Sequence, residues 1–124
     1  MEIALSQEQG RVPVTIFRVK GRVNLGTAER LQAEARRAIE SGARDLLLDL
    51  SEVDSLTSAG LRALHHIYNL LQDESSTEQS GGVVKSPHLK LLNPPAGVRS
   101  VLRIAGFDMF LEIHDDLEAA VASF

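Results

Sequence analysis

The stretch "LLLDLSEVDSLTSAGLRAL", Leu46 to Leu64, decides how the chain is read. Three consecutive leucines, Leu46-Leu47-Leu48, are too few for a buried helix and suit a central strand covered on both faces. A short loop, "SEVDSLT", is expected next. Beyond it Leu61, Leu64, Tyr68 and Leu71 recur at steps of three and four, with Ile67 beside them, and predict a helix running to about Asp73. Thr57-Ser58-Ala59-Gly60 stand at its mouth. One hydroxyl is enough to cap a helix, so the second needs a reason. A helix start offers unpaired backbone N–H groups and a partial positive charge. Ala59 and Gly60 leave those groups nearly uncovered, so an anionic group on Ser58 could be accepted there. From the residues alone, Ser58 or Thr57 can equally be an ordinary N-cap contributing roughly 1 kcal/mol.

Outward from this stretch the pattern alternates strand with helix. "MEIAL" and "VPVTIFRVKG" alternate apolar with polar side chains on either side of "SQEQGR", which predicts an opening β-hairpin. Pro13 belongs at a strand end or edge because it cannot donate a ladder hydrogen bond. "GTAERLQAEARRAIESG" reads as a helix capped by Thr27, with Ala28, Leu31, Ala35, Ala38 and Ile39 on one face and Gly42 as its stop. "DESSTEQSGGVVKS", residues 73–86, is polar, aperiodic and expected to be a mobile loop. "HLKLL" and "MFLEIH" read as short strands. Between them "NPPAGVRSVLRIAG" reads as a helix opened by proline and stopped at Gly106. "DDLEAAVASF" closes the chain as a helix, with Asp115 and Glu118 spaced like a capping box. The order β-β-α-β-α-β-α-β-α predicts a single α/β domain over residues 1–124: a mixed, mostly parallel sheet opened by an N-terminal hairpin and packed with about four helices.

Composition narrows the function. Charge is −4 and aromatic content 4%, with no Trp. A nucleic-acid surface would want the reverse, stacking rings on a basic stripe. The mild basic face of Arg30, Arg36 and Arg37 is balanced by Glu29, Glu34 and Glu40 and reads as solvated surface. With no Cys there are no disulfides, thiolate metal sites or thiol catalysis. No leader-like segment and no apolar run near the roughly 20 residues of a membrane span is present, so a cytoplasmic protein is expected. His65 and His66 are adjacent and point about 100° apart on a helix, while His88 and His114 lack a ligand pair at useful spacing; no metal site is expected. A serine hydrolase would want G-x-S-x-G where this chain has Leu56-Thr57-Ser58-Ala59-Gly60. Neither glycine-rich nucleotide motif occurs, and no cofactor is expected.

The same decisive stretch resembles the signature of STAS domains, the fold of bacterial anti-sigma factor antagonists: a strand ending in "DLS", a hydrophobic link, then a turn that opens a helix. "VKGRVNLGTAERL" resembles the family's glycine-containing turn before its first helix, and "VRSVLRIAGF" its penultimate helix. The resemblance implies a non-catalytic regulatory binding module, whose partner is an anti-sigma factor with serine kinase activity. The phosphoacceptor then falls on Ser58, with Thr57 as a spare. The partner-binding surface falls on Asn24, Thr27, Thr57, Ser58, Ala59, Gly60, Leu61 and Arg62. The chain departs from the family pattern where Thr57 and Asn24 replace acidic residues and Ala59 replaces a second serine. An STAS-type scaffold or transport accessory that binds without phosphorylation is the alternative.

Overall fold

The computed structural model describes residues 1–72 and 85–124. The expected loop at 73–86 therefore lies outside the described residues, except for Lys85 and Ser86. Ser86 is buried, and its hydroxyl accepts from the backbone N–H groups of His88 and Leu89. The elements run β1 (Glu2–Gln9), β2 (Pro13–Val23), α1 (Leu25–Glu40), β3 (Leu46–Leu56), α2 (Ser58–Leu71), β4 (Leu89–Leu92), α3 (Ala96–Ile104), a 3-10 turn (Phe107–Met109), β5 (Glu112–His114) and α4 (Leu117–Ala122). The five strands stand in the sheet in chain order, β1 antiparallel to β2 and the rest parallel. This is the α/β architecture the sequence predicts.

Side-chain alternation along the strands sorts the molecule into two apolar layers. Phe17, Val19, Val23, Leu46, Leu48 and Leu50 face one way and meet Ala28, Leu31 and Ala35 of α1, Leu64 and Ile67 of α2, and Val98 and Leu102 of α3. Val14, Ile16, Leu47 and Leu92 face the other way, where α4 brings Ala120 and Val121, with Leu117 partly buried beside them. Leu46, Leu47 and Leu48 are each fully buried, so consecutive leucines serve opposite layers, as a strand covered on both sides requires. Each such side chain contributes about 1.5–3 kcal/mol on burial. α4 covers only part of its face. Where it stops, the strands carry charge, with Arg18 against Asp49 at 3.3 Å and Lys20 against Glu52 at 3.9 Å.

Several boundaries differ from expectation, each for a local reason. "SEVDSL" is strand, not loop. β3 holds one extra residue between the Arg18↔Asp49 and Lys20↔Glu52 pairs and another between Gly21↔Val53 and Arg22↔Ser55. These two bulges stretch the spacing of inward side chains from two to three, so Leu50, Val53 and Leu56 reach the same core. The Asp49 carboxylate steadies the first bulge by accepting from the Ser51 N–H at 3.0 Å. α1 is capped by Asn24, and Thr27 sits three residues inside it. At α4 the cap is Asp116, which accepts from the Ala119 N–H, while Asp115 is engaged by Arg99. The last strand shrinks to Glu112–His114 because Phe107–Met109 coils into a turn that packs Phe107 beside Phe110.

Candidate functional site

β2 and β3 end together, Val23 opposite Leu56, and each passes directly into a helix. Two helix N-termini therefore emerge side by side at the C-terminal edge of the parallel strands, where ligands gather in open α/β sheets. At α2 the cap is Thr57. Its hydroxyl oxygen accepts from the Gly60 N–H at 3.4 Å and donates to the Val23 carbonyl at 3.2 Å, and its own N–H donates to that same carbonyl at 3.1 Å. Thr57 is thus tied to both the helix and the neighbouring strand. The second hydroxyl has no such duty. Ser58 is the first residue of α2, is exposed, and makes no side-chain hydrogen bond among the described residues.

Gly60 explains why a hydroxyl can sit so close to the sheet edge. A Cβ there would lie 2.6 Å from Leu56 Cδ1 and 2.8 Å from the Val23 carbonyl oxygen. Only glycine lets the first turn of α2 press against the strand ends. Gly60 is accordingly buried, and its side of the turn faces the core while Ser58 faces water.

Across from it, α1 starts with a closed ring of bonds. Asn24 Oδ1 accepts from the N–H groups of Gly26 at 3.0 Å and Thr27 at 3.2 Å. Thr27 Oγ1 accepts from the Asn24 N–H at 2.9 Å and donates to the Arg22 carbonyl at 2.8 Å. Thr27 and the Asn24 side-chain carbonyl oxygen are spent on structural bonds of this loop, which leaves the Asn24 amide NH2 as the group this start can offer the site.

The remaining candidates fall into place around this edge. Ala59 and Leu61 are half-buried and pack on the core, and Arg62 is exposed one turn beyond Ser58, so the two lie on the same flank of α2. Asp54, in the second bulge, is exposed nearby in sequence. Neither α1 nor α2 carries an acidic residue in its first turn, so no side-chain carboxylate there offsets the positive helix end. One residue escaped the sequence reading. Leu25, the first residue of α1, is 78% exposed on this rim, a large apolar side chain with no share in the core. Its signal was visible: it stands off the Ala28–Leu31–Ala35 stripe.

The histidines are each engaged in surface contacts. His65 stacks on Tyr68, the His66 ring nitrogen meets Arg36 at 2.9 Å, His88 meets Asp45 and His114 meets Glu112. No group of three metal-ligating side chains gathers among the described residues. No helix among them is long and apolar enough to cross a membrane.

At this edge two strands release two helices, and the second presents a serine whose side chain makes no hydrogen bond among the described residues. Comparison with known proteins gives the class. Residues 5–77 match the STAS domain family model, and the chain belongs to the STAS domain family. It is 35% identical over 106 residues to the candidate anti-sigma factor antagonist BtrV of Bordetella bronchiseptica, covering 86% of this chain and 82% of that one. Its fold superposes on a candidate anti-sigma factor antagonist of Thermotoga maritima with a TM-score of 0.76 at 22% identity, over 95% of this chain and 90% of that one. The phosphorylated form of the Bacillus cell fate determinant SpoIIAA shares the fold at a TM-score of 0.61 and 19% identity, over 94% and 96% of the two chains. A sulfate transporter family protein of Wolinella succinogenes shares it at 0.62 and 23%, over 88% and 82%.

Proposed function

We propose that this protein is a cytoplasmic, non-enzymatic anti-sigma factor antagonist. It binds an anti-sigma factor with serine kinase activity through the edge formed by the two helix starts, and phosphorylation of Ser58 switches the binding off. One observation carries the reading: the Ser58 hydroxyl is exposed and unspent because Thr57 already caps α2. The relationship to BtrV supports the partner class, and the fold of phosphorylated SpoIIAA supports the kind of switch.

Charge alone suffices for the mechanism. A phosphoserine carries about −1.5 to −2 charges and three acceptor oxygens. At a helix start it is tolerated, gaining about 0.3–1 kcal/mol, or about 2 kcal/mol when partly buried. A partner seated on the same edge must strip water from that anion with Asp54 close by. A penalty of about 3 kcal/mol weakens binding about a hundredfold. No movement of the fold is needed. Leu25 supplies the edge with apolar contact area, and Arg62 with charge.

A second reading is favoured by one specific feature. Asn24 and Thr57 are neutral, and neither helix start carries a carboxylate in its first turn to assist proton removal from the acceptor. On this reading the chain is a scaffold or transport accessory that binds constitutively. Isothermal titration of one purified partner with unmodified and kinase-treated protein separates the two. The switch predicts about a hundredfold loss of affinity, restored by phosphatase. Equal affinities would establish the constitutive scaffold instead.

A further inference from the structure

Among the described residues strand β1 is the edge of the sheet, and apart from the charges of Glu2 and Glu8 it lacks the usual protections. Natural edges are kept from pairing by short length, Lys, Pro, bulges or a covering helix. β1 runs eight residues, "EIALSQEQ", pairs with β2 in unbroken register, and contains no Lys, Arg, Pro or Gly. Every residue after Ile3 is exposed, including Leu5 at 48%. Above its helix-facing side lies an open groove of about 1060 Å³, lined by Leu5, Gln7 and Gln9 of β1 and by Glu34, Arg37 and Ala38 of α1. α1 thus stops short of this part of the edge.

We propose that β1 pairs antiparallel with β1 of a second copy, joining two five-stranded sheets into one of ten strands. Symmetry tests which register is permitted. Two copies related by a two-fold axis through the sheet must be centred on one residue facing itself, and each residue then meets one of the same face. Centring on Leu5 sets Glu2 opposite Glu8 twice, a like-charge clash. Centring on Ser6 pairs Ile3 with Gln9, Ala4 with Glu8 and Leu5 with Gln7. This overlap is as long as the Leu5-centred one and opposes no like charges. Centring on Ala4 or Gln7 shortens the overlap. The charge pattern of the strand is therefore compatible with a second copy of itself and places Ser6 on the axis. Both helix layers then lie on the same side of the joined sheet, and Leu5 of each copy is covered in the groove. Ser58 follows β3, two strands in from the joined edge, and stays clear of the contact.

The natural chain has no cysteine, so a single introduced thiol reports this geometry directly. Residues facing each other across antiparallel strands have Cα atoms about 4.5–5.5 Å apart, within disulfide reach. Protein carrying Ser6→Cys is oxidised and compared with Ala4→Cys and Glu8→Cys, while sedimentation equilibrium follows mass from micromolar to millimolar concentration. The expected result is a reversible dimer, cross-linked most efficiently through residue 6. Ser6→Lys sets two ammonium groups face to face and weakens the dimer about tenfold or more, whereas Ser6→Thr preserves it. Ser6 is exposed, so far-UV circular dichroism should show all these variants folded. A chain that stays monomeric throughout would overturn the proposal. So would a dimer that cross-links no better at residue 6, or one that survives Ser6→Lys unchanged.

Discussion

The two helix starts at the candidate edge can be compared position by position. Asn24, Leu25, Gly26 and Thr27 open α1; Thr57, Ser58, Ala59 and Gly60 open α2. In α1 the third helical residue is Thr27, which closes a reciprocal box with Asn24 and anchors it to Arg22. In α2 that residue is Gly60, which has no side chain to return a bond and lets the helix settle on Val23 and Leu56. Thr57 compensates by bonding to the Val23 carbonyl of the neighbouring strand. The first positions differ as well: a bare leucine at one start, an unspent serine at the other. One start is therefore complete in itself. The other is held by the sheet and leaves its next hydroxyl for other use.

Substitutions can break this contrast, and the largest effect belongs to the surplus hydroxyl. Ser58→Asp is expected to weaken partner binding by up to about a hundredfold, near 3 kcal/mol. Its unfolding free energy should stay within about 0.5 kcal/mol of wild type. Calorimetric titration and urea melts check the two halves. Gly60→Ala comes next. Its Cβ would meet Leu56 and the Val23 carbonyl, and overpacking of this kind costs about 1–3 kcal/mol. Gly26→Ala meets only Asn24 Oδ1, at 3.6 Å, and should leave the urea midpoint unchanged or raise it.

Smaller effects sharpen the comparison. Asn24→Ala and Thr57→Ala should each cost about 1 kcal/mol as lost caps. Thr27→Ala should be strongly non-additive with Asn24→Ala because the two residues complete each other, and a double-mutant cycle in urea measures that coupling. Loss of Thr57 should show no such coupling to Ser58.

The smallest effect is a pH dependence located away from both starts. Glu112 is partly buried, which alone would raise its pKa. Hydrogen bonds with His114 and Lys90, and the Lys90 charge, outweigh that and hold the carboxyl below its ordinary value. A depressed folded pKa means the unfolded chain binds more protons in acid. The stabilisation is complete above the ordinary carboxylate value and fades as pH falls through the lowered one. Lys90, only 3% exposed, also donates to the Ser123 carbonyl and hydroxyl, so acid should loosen the end of α4 first. The caps at Asn24, Thr27 and Thr57 do not titrate in this range. Hydrogen exchange across the acid range should therefore show α4 losing protection before the first turns of α1 and α2.

Much of this was legible in the sequence. The alternation of β2, the leucine run of β3 and the stripes of α1, α2 and α3 are periodic signals, and the structure places them as the periods require. What failed was chemistry without a period. The β3 bulges turned an alternating strand into a three-residue spacing that imitates a loop, and their cause, register against β2, is not local. Asn24 and Thr27 both suit a cap, and only the bond to the Arg22 carbonyl decides which residue holds that place. Asp115 and Asp116 posed the same choice, decided by Arg99. At the candidate site the position of Ser58 was readable as a strand-to-helix junction. The division of labour between Thr57 and Ser58 was not, because it depends on where Val23 lies. Gly60, anticipated as part of the binding surface, sits beneath that surface as its packing base.

Thr57 holds the helix while its neighbour's oxygen stands idle in water, and the rest of the functional account descends from that separation of roles. Phosphate mapping by mass spectrometry, after incubation with a cognate anti-sigma kinase and ATP, addresses it most directly. The label should sit on residue 58 in wild-type protein and vanish in Ser58→Ala, with residues 27 and 57 unmodified. Label on Thr57, or none at all with a kinase active on another antagonist, would contradict it.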